Sequence, residues 1–190
     1  MTQIMLSLGA AAASLRQRLA RCAHDERGVS AVEFALLLPL MVTLYLGGVE
    51  VSQGLTIDRK VTLVARTVAD LAAQTPSITN SDMTNILNAS TAVLSPYSTD
   101  LVKVTVSQVT IDDKGKATIA WSDSKNGTAR AKGSTITLPS ALNIPNSSLI
   151  WGEVAYEYKP VIGYVITGTM TLTDQIYMRP RLSESVQRTS

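Results

Sequence analysis

The sequence predicts an α+β protein in which a long N-terminal helix, transmembrane at first and amphipathic later, packs on an antiparallel β-sheet. Three observations predict it. An apolar run from Phe34 to Val49 contains no charged residue. Beyond it the apolar residues fall at helical spacing. From Val102 onward they alternate with polar residues, which is the period of a strand. A helical region followed by a run of strands is the α+β pattern.

The helix comes first. Val29 to Val51 would span roughly 34 Å as a helix, about the thickness of one hydrocarbon core. Glu33 sits at the mouth of this run, where a carboxylate near lipid calls for a reason. Pro39 lacks a backbone donor and predicts a kink. Gly47, Gly48 and Gly54 weaken the helix near the membrane exit. Ile57, Val61, Val64, Val68 and Leu71 then form a stripe spaced four, three, four, three, a core-packing face. Asp58, Arg59, Lys60, Arg66 and Asp70 fall off the stripe, and Arg66 and Asp70 are spaced as an i,i+4 ion pair. Gln74-Thr75-Pro76 ends the pattern. The spacing therefore predicts one helix from about Val29 to Ala73.

A shorter helix follows, capped by Thr79 or Ser81. Thr79 and Asp82 have the spacing of a capping box. Met83, Ile86 and Leu87 supply its apolar face, with Val93 and Leu94 near its end, and Ser95-Pro96 stops it. Val102, Val104 and Val106 open the first long strand. The parity slips to Val109 and Ile111, which predicts a β-bulge near Ser107-Gln108. Asp112-Asp113-Lys114-Gly115 reads as a hairpin turn, with Ala117, Ile119 and Trp121 on the inner face of the return strand. Ser122 to Gly133 is polar and reads as a loop, with Asn126-Gly127 as a turn. Ile136 and Leu138 form a short apolar patch. Ile150, Val154, Tyr156 and Tyr158 alternate along another strand, broken by Lys159-Pro160. Met170, Leu172, Ile176 and Met178 alternate along the last, ended by Arg179-Pro180-Arg181.

Charge and composition narrow the function. The formal net charge is +2. Residues 1–28 carry Arg16, Arg18, Arg21 and Arg27 against Asp25 and Glu26, so the whole excess lies there and the remainder is balanced. No nucleic-acid surface is indicated. The arginines predict a cytoplasmic N-terminus and an exported C-terminal part. The single cysteine, Cys22, and the single histidine, His24, both precede Gly28. Beyond Gly28 this removes cysteine and histidine nucleophile-base pairs, nearly all zinc sites and disulfides. An ordinary secretory signal is a poor fit, because Leu46-Gly47-Gly48 is not a small-x-small cleavage site.

Enzymatic motifs are weak. Ser122-Asp123-Ser124-Lys125 fits S-x-x-K, but in a polar stretch it reads as a solvated turn. Asp112-Asp113 sits in a turn. Glu153 and Glu157 share the strand face opposite the tyrosines, where solvent is expected. Trp121, Trp151, Tyr156 and Tyr158 are candidates for an aromatic binding surface, with core packing the better home for most.

The stretch Arg27-Gly28-Val29-Ser30-Ala31-Val32-Glu33-Phe34, followed by Ala35-Leu36-Leu37-Leu38-Pro39, resembles the N-terminal signature of the TadE-like family, minor pseudopilins of the tight-adherence (Flp) pilus machinery. The resemblance covers about residues 26–70. Tyr156-Glu157-Tyr158-Lys159-Pro160 and Arg179-Pro180-Arg181 also resemble the family, less specifically. It implies a pilin-like fold, no catalytic residues and no cofactor or metal. It implies prepilin peptidase cleavage between Gly28 and Val29, with Glu33 and Phe34 as assembly and recognition residues. The implied partners are that peptidase, other pilus subunits met through the N-terminal helix, and the bacterial inner membrane. The domain organisation expected is a cytoplasmic leader at 1–28, a transmembrane segment at 29–53 and an exported, periplasmic α+β domain at 54–190. Gly28, without a side chain, suits entry of an extended peptide into a narrow protease site. Cleavage would create an ammonium on Val29, and Glu33 lies four residues on, placed to neutralise it. An uncleaved single-pass anchor carrying an exported binding or adhesion domain is the alternative.

Overall fold

A computed structural model describes residues 26–160, 163 and 168–189, with the side chains of Glu26 and Arg27 outside the description. Residues 1–25, including Cys22 and His24, lie outside the described residues. Two compact units divide between Gly48 and Val49. The element order is α1 (Glu26–Ala73), β1 (Ser77–Ile78), α2 (Asn80–Ala92), β2 (Val102–Ile111), β3 (Ala117–Lys125), β4 (Thr135–Ile136), β5 (Ser147–Tyr158), β6 (Met170–Met178) and β7 (Gln187–Arg188). The α+β reading holds. The strands β4-β3-β2-β5-β6 form one antiparallel sheet. A separate two-stranded parallel pair joins β1 to β7.

The stripe on α1 does what its period predicts. Ile57, Val61, Val64 and Val68 are buried, with Leu71 packed against them at the edge. Ala65, Ala69, Ala72 and Ala73 are buried too, so the packed face is wider than the large residues suggest. Small residues let α1 approach the sheet closely. A Cβ placed on Gly152 of β5 would lie 2.8 Å from the Ala65 carbonyl oxygen and 3.0 Å from Val68 Cγ1. Glycine at 152 is thus the residue on which the helix rests. Asp70 pairs with Arg181 and accepts from Gln74 Nε2 at 2.6 Å. The expected Arg66–Asp70 pair does not form, because the C-terminal segment brings a competing guanidinium to Asp70.

The second helix starts as expected. Thr79 caps α2, its hydroxyl accepting from Asp82 N at 3.2 Å while Asp82 Oδ2 accepts from Thr79 N at 3.0 Å. Thr79 thereby holds the Asp82 carboxyl below its ordinary value, first through its hydroxyl and then through its backbone N–H. Met83, Ile86 and Leu87 are buried. Lys60 Nζ donates to the carbonyls of Val93 and Ser95 at 2.9 and 2.7 Å, satisfying acceptors just past the end of α2.

The bulge exists, on the other strand. β2 pairs with β5 without a break from Val102↔Tyr156 to Ile111↔Ser147. Against β3 the register shifts between Gln108↔Trp121 and Val109↔Ile119, so Ala120 is the extra residue. The parity change in β2 has a different cause. Val102, Val104 and Val106 face the helices, whereas Val109 and Ile111 belong to a second core on the opposite face. The bulge also separates residues expected on one face: Ala117 and Ile119 join the second core, and Trp121 joins the helix side.

Two further expectations need correction. Ser122–Lys125 is strand, and not loop or turn. Its polar residues hide it from an apolar pattern, but they form a hydroxyl ladder: Ser107 Oγ donates to Ser122 Oγ at 2.9 Å, and Thr105 and Ser124 are paired at 2.9 Å. Met170 is 39% exposed, so the inner face of β6 is carried by Leu172, Ile176 and Met178. Ile150, Val154, Tyr156 and Tyr158 of β5 are all buried on the helix side.

The C-terminal segment is structured by contacts that alternation does not reveal. Gln108, 3% exposed, accepts at Oε1 from Trp121 Nε1 at 3.0 Å and from Val186 N at 2.9 Å. Arg181 N donates to Ala73 O at 2.9 Å. Arg188 bonds Asp123 through two nitrogens and Asn80 Oδ1 at 2.6 Å.

Candidate functional site

Gly28, Val29, Glu33 and Phe34 lie on α1. The described helix, Glu26–Ala73, includes Gly28. Gly28 is therefore helical here. No atom would lie within 4 Å of a Cβ at Gly28. Val29 is 57% and Phe34 59% exposed, and Glu33 is exposed. The helix places Val29 and Glu33 one turn apart on one face. Pro39 lies inside α1, and Thr43 Oγ1 donates to its carbonyl at 2.8 Å. Leu36, Leu40 and Leu44 are exposed as well. A helix apolar all round, with its apolar residues outside any protein core, suits lipid or other helices.

Sequence reasoning passed over Glu50. It is buried in the second unit, 1% exposed. Its charge, after burial, raises the pKa of the Tyr158 phenol. The signal was available: one carboxylate between Val49 and Val51 in an apolar context.

The enzymatic candidates come apart. Ser122 pairs with Ser107 and Lys125 with Val104, and these positions face opposite sides of the sheet. Lys125 Nζ is held by Asn88 and Thr91 at 2.9 and 3.0 Å. Asp112 Oδ1 accepts from the backbone of Lys114 and Lys116 in its turn. Glu153 and Glu157 do lie opposite the tyrosines, but each is ion-paired: Glu157 with Lys103 at 2.6 Å and Glu153 with Arg130. Trp121, Trp151, Tyr156 and Tyr158 are all buried.

The outer face of the sheet holds the other constructed region. Arg130 grips Glu153 through Nε and Nη2 at 2.9 and 2.6 Å, and its guanidinium lies 4.1 Å from the centre of the Trp151 ring. Trp151 stacks on Tyr177 at 5.4 Å and donates to Gln175 Oε1 at 3.1 Å. Hydrogen bonding to Glu153 raises the Arg130 pKa further, and burial raises that of Tyr177. Beside this stack lies an open cavity of about 720 Å³.

These features define an α+β protein that has, among the described residues, one helix long and apolar enough to cross a membrane. Residues 28–70, the helix that carries the Gly28 and Glu33-Phe34 signature, match the family model described as TadE-like protein. No curated protein and no solved structure matches the chain.

Proposed function

We propose that this chain is a membrane-inserted minor pilin or pseudopilin in tight-adherence (Flp, type IV-like) pilus assembly. The observation that carries the reading is the TadE-like match over residues 28–70, on a helix whose large apolar residues from Val29 to Tyr45 are mostly exposed. In this reading a prepilin peptidase cuts between Gly28 and Val29. Because Gly28 is helical, the peptidase must unwind the helix around it, and glycine lowers that cost by about 1 kcal/mol relative to alanine. The new ammonium on Val29 is met by Glu33, of the same helix or of a neighbouring subunit. The arginines before the span hold the leader in the cytoplasm and leave the sheet domain in the periplasm. The partners are the peptidase, the inner membrane and other pilus subunits packed on α1. The role is structural and non-catalytic; the dispersal of Ser122 and Lys125 to opposite faces of the sheet supports this.

N-terminal sequencing of the protein extracted from membranes of its native host tests the cut, with Val29 as the expected first residue. A mature protein that retains Cys22 would overturn processing and favour the uncleaved anchor with an exported adhesion domain.

A further inference from the structure

We infer that the cavity on the outer face of the sheet is a binding site for a neutral, polyhydroxylated ligand, a glycan. The cavity is built on three adjacent strands. In one row Lys103, Ala155 and Thr173 stand side by side; in the next stand Thr105, Glu153 and Gln175. Ala155 leaves a depression in the floor between longer neighbours. Thr128 and Arg130 form one wall, and Thr173 and Gln175 of β6 the other. The volume, about 720 Å³, is that of a small-molecule site.

The charges select the ligand. Lys103 and Arg130 face the cavity with Glu153, and Glu157 stands on the same sheet face as the partner of Lys103, two cations and two anions, so the site has no net demand for charge. Both cations are already paired, Lys103 to Glu157 and Arg130 to Glu153. Neutral groups that donate and accept at once are what such a lining satisfies: guanidinium and ammonium donate, carboxylates accept, and hydroxyls and the Gln175 amide do both. A sugar hydroxyl has that character. Arg130 is also fixed in advance. Glu153 holds Nε and Nη2, Trp151 lies beneath, and Nη1 carries no protein partner among the described residues. A donor held this way loses little freedom on binding.

An extended peptide fits less well. β2 and β5 are each paired on both sides, so their backbone groups are spent. Strand addition would need an edge, and the exposed edge at β6 has Asp174 accepting from Gln175 N at 2.7 Å, which occupies the donor a guest strand would use. The glycan site is independent of the pilus reading and goes beyond it.

The test uses the full chain in a zwitterionic detergent that carries no sugar, titrated calorimetrically with neutral gluco-, galacto- and N-acetylglucosamine oligosaccharides, with uronic acid oligomers, and with unstructured peptides. At least one neutral oligosaccharide is expected to bind. Arg130→Gln should weaken it by about tenfold or more, the loss of a charge-assisted contact. Ala155→Phe fills the depression and removes no hydrogen bond, so it should weaken binding to a similar degree, about tenfold, at unchanged melting temperature. It keeps the test decisive if Arg130→Gln loosens the Trp151 stack. Binding that Ala155→Phe leaves intact overturns the site. Failure of every neutral oligosaccharide to bind, or preference for the uronic acids or the peptides, overturns the ligand class.

Discussion

At the scale of single residues, two positions carry more than their size suggests. Gly152 is where α1 touches the sheet, and even one methyl group there meets a backbone oxygen that cannot rotate away. Gly152→Ala is expected to destabilise the domain by about 1–3 kcal/mol through overpacking, read as a lower urea midpoint followed by tryptophan fluorescence. An unchanged midpoint would mean that α1 moves freely over β5. Asp82 offers a pH test. Its folded pKa lies below its ordinary value of 3.8, chiefly through the Thr79 hydroxyl. The contribution is therefore present above that value and lost as pH falls through the lowered one. The first turn of α2 should fray in that acid window, with faster amide exchange at Asp82 and Met83. Thr79→Ala should bring the Asp82 titration back toward the ordinary range, as observed by carboxyl NMR.

At the scale of elements, the C-terminal segment behaves as a strap. β7 is only two residues long, and a parallel pair so short has little stability of its own. It is held by side chains: Gln108 on Val186, and Arg188 on Asp123 and Asn80. Arg188→Ala is expected to raise hydrogen exchange at Gln187 and Thr189, whose amides donate to Pro76 and Ile78, and to leave β2 and β5 protected. Gln108→Leu should reach further. It leaves the buried Val186 N–H without its acceptor, at a cost of about 1–3 kcal/mol, measured as a loss of global stability. If both variants exchange like the parent, the strap is held by its backbone alone.

At the scale of the molecule, the prediction concerns α1. Glu33→Ala is expected to leave the protein inserted and the sheet domain protease-resistant, while its incorporation into pilus assemblies falls. A buried carboxylate is tolerated where a partner charge offsets its desolvation, and the ammonium on Val29 is that partner in the proposed function. Co-purification of the variant with its neighbouring subunits measures the effect. Normal incorporation would reduce Glu33 to a headgroup contact. A protease-sensitive domain would mean instead that Glu33 supports the fold.

Local chemistry determined much of this protein. An uncharged apolar length, a stripe at helical period, the Thr79–Asp82 cap and the alternating β5 residues are each satisfied within a few consecutive residues. They are legible in the sequence for that reason, as is the Gly28 and Glu33-Phe34 signature. Tertiary structure decided what depends on residues far apart in the chain. A strand's alternation says that two faces differ, but not that β2 buries one face at its start and the other at its end. That follows from helices covering one side and the segment after β3 covering the other. The polar run Ser122–Lys125 becomes strand only because Ser107 and Thr105 stand opposite it. Asp70 leaves Arg66 for Arg181 because the chain's end returns to α1. Arg130, Glu153 and Trp151 meet only when a loop folds over the outer face, so the cavity beside them has no signature in the order of the residues.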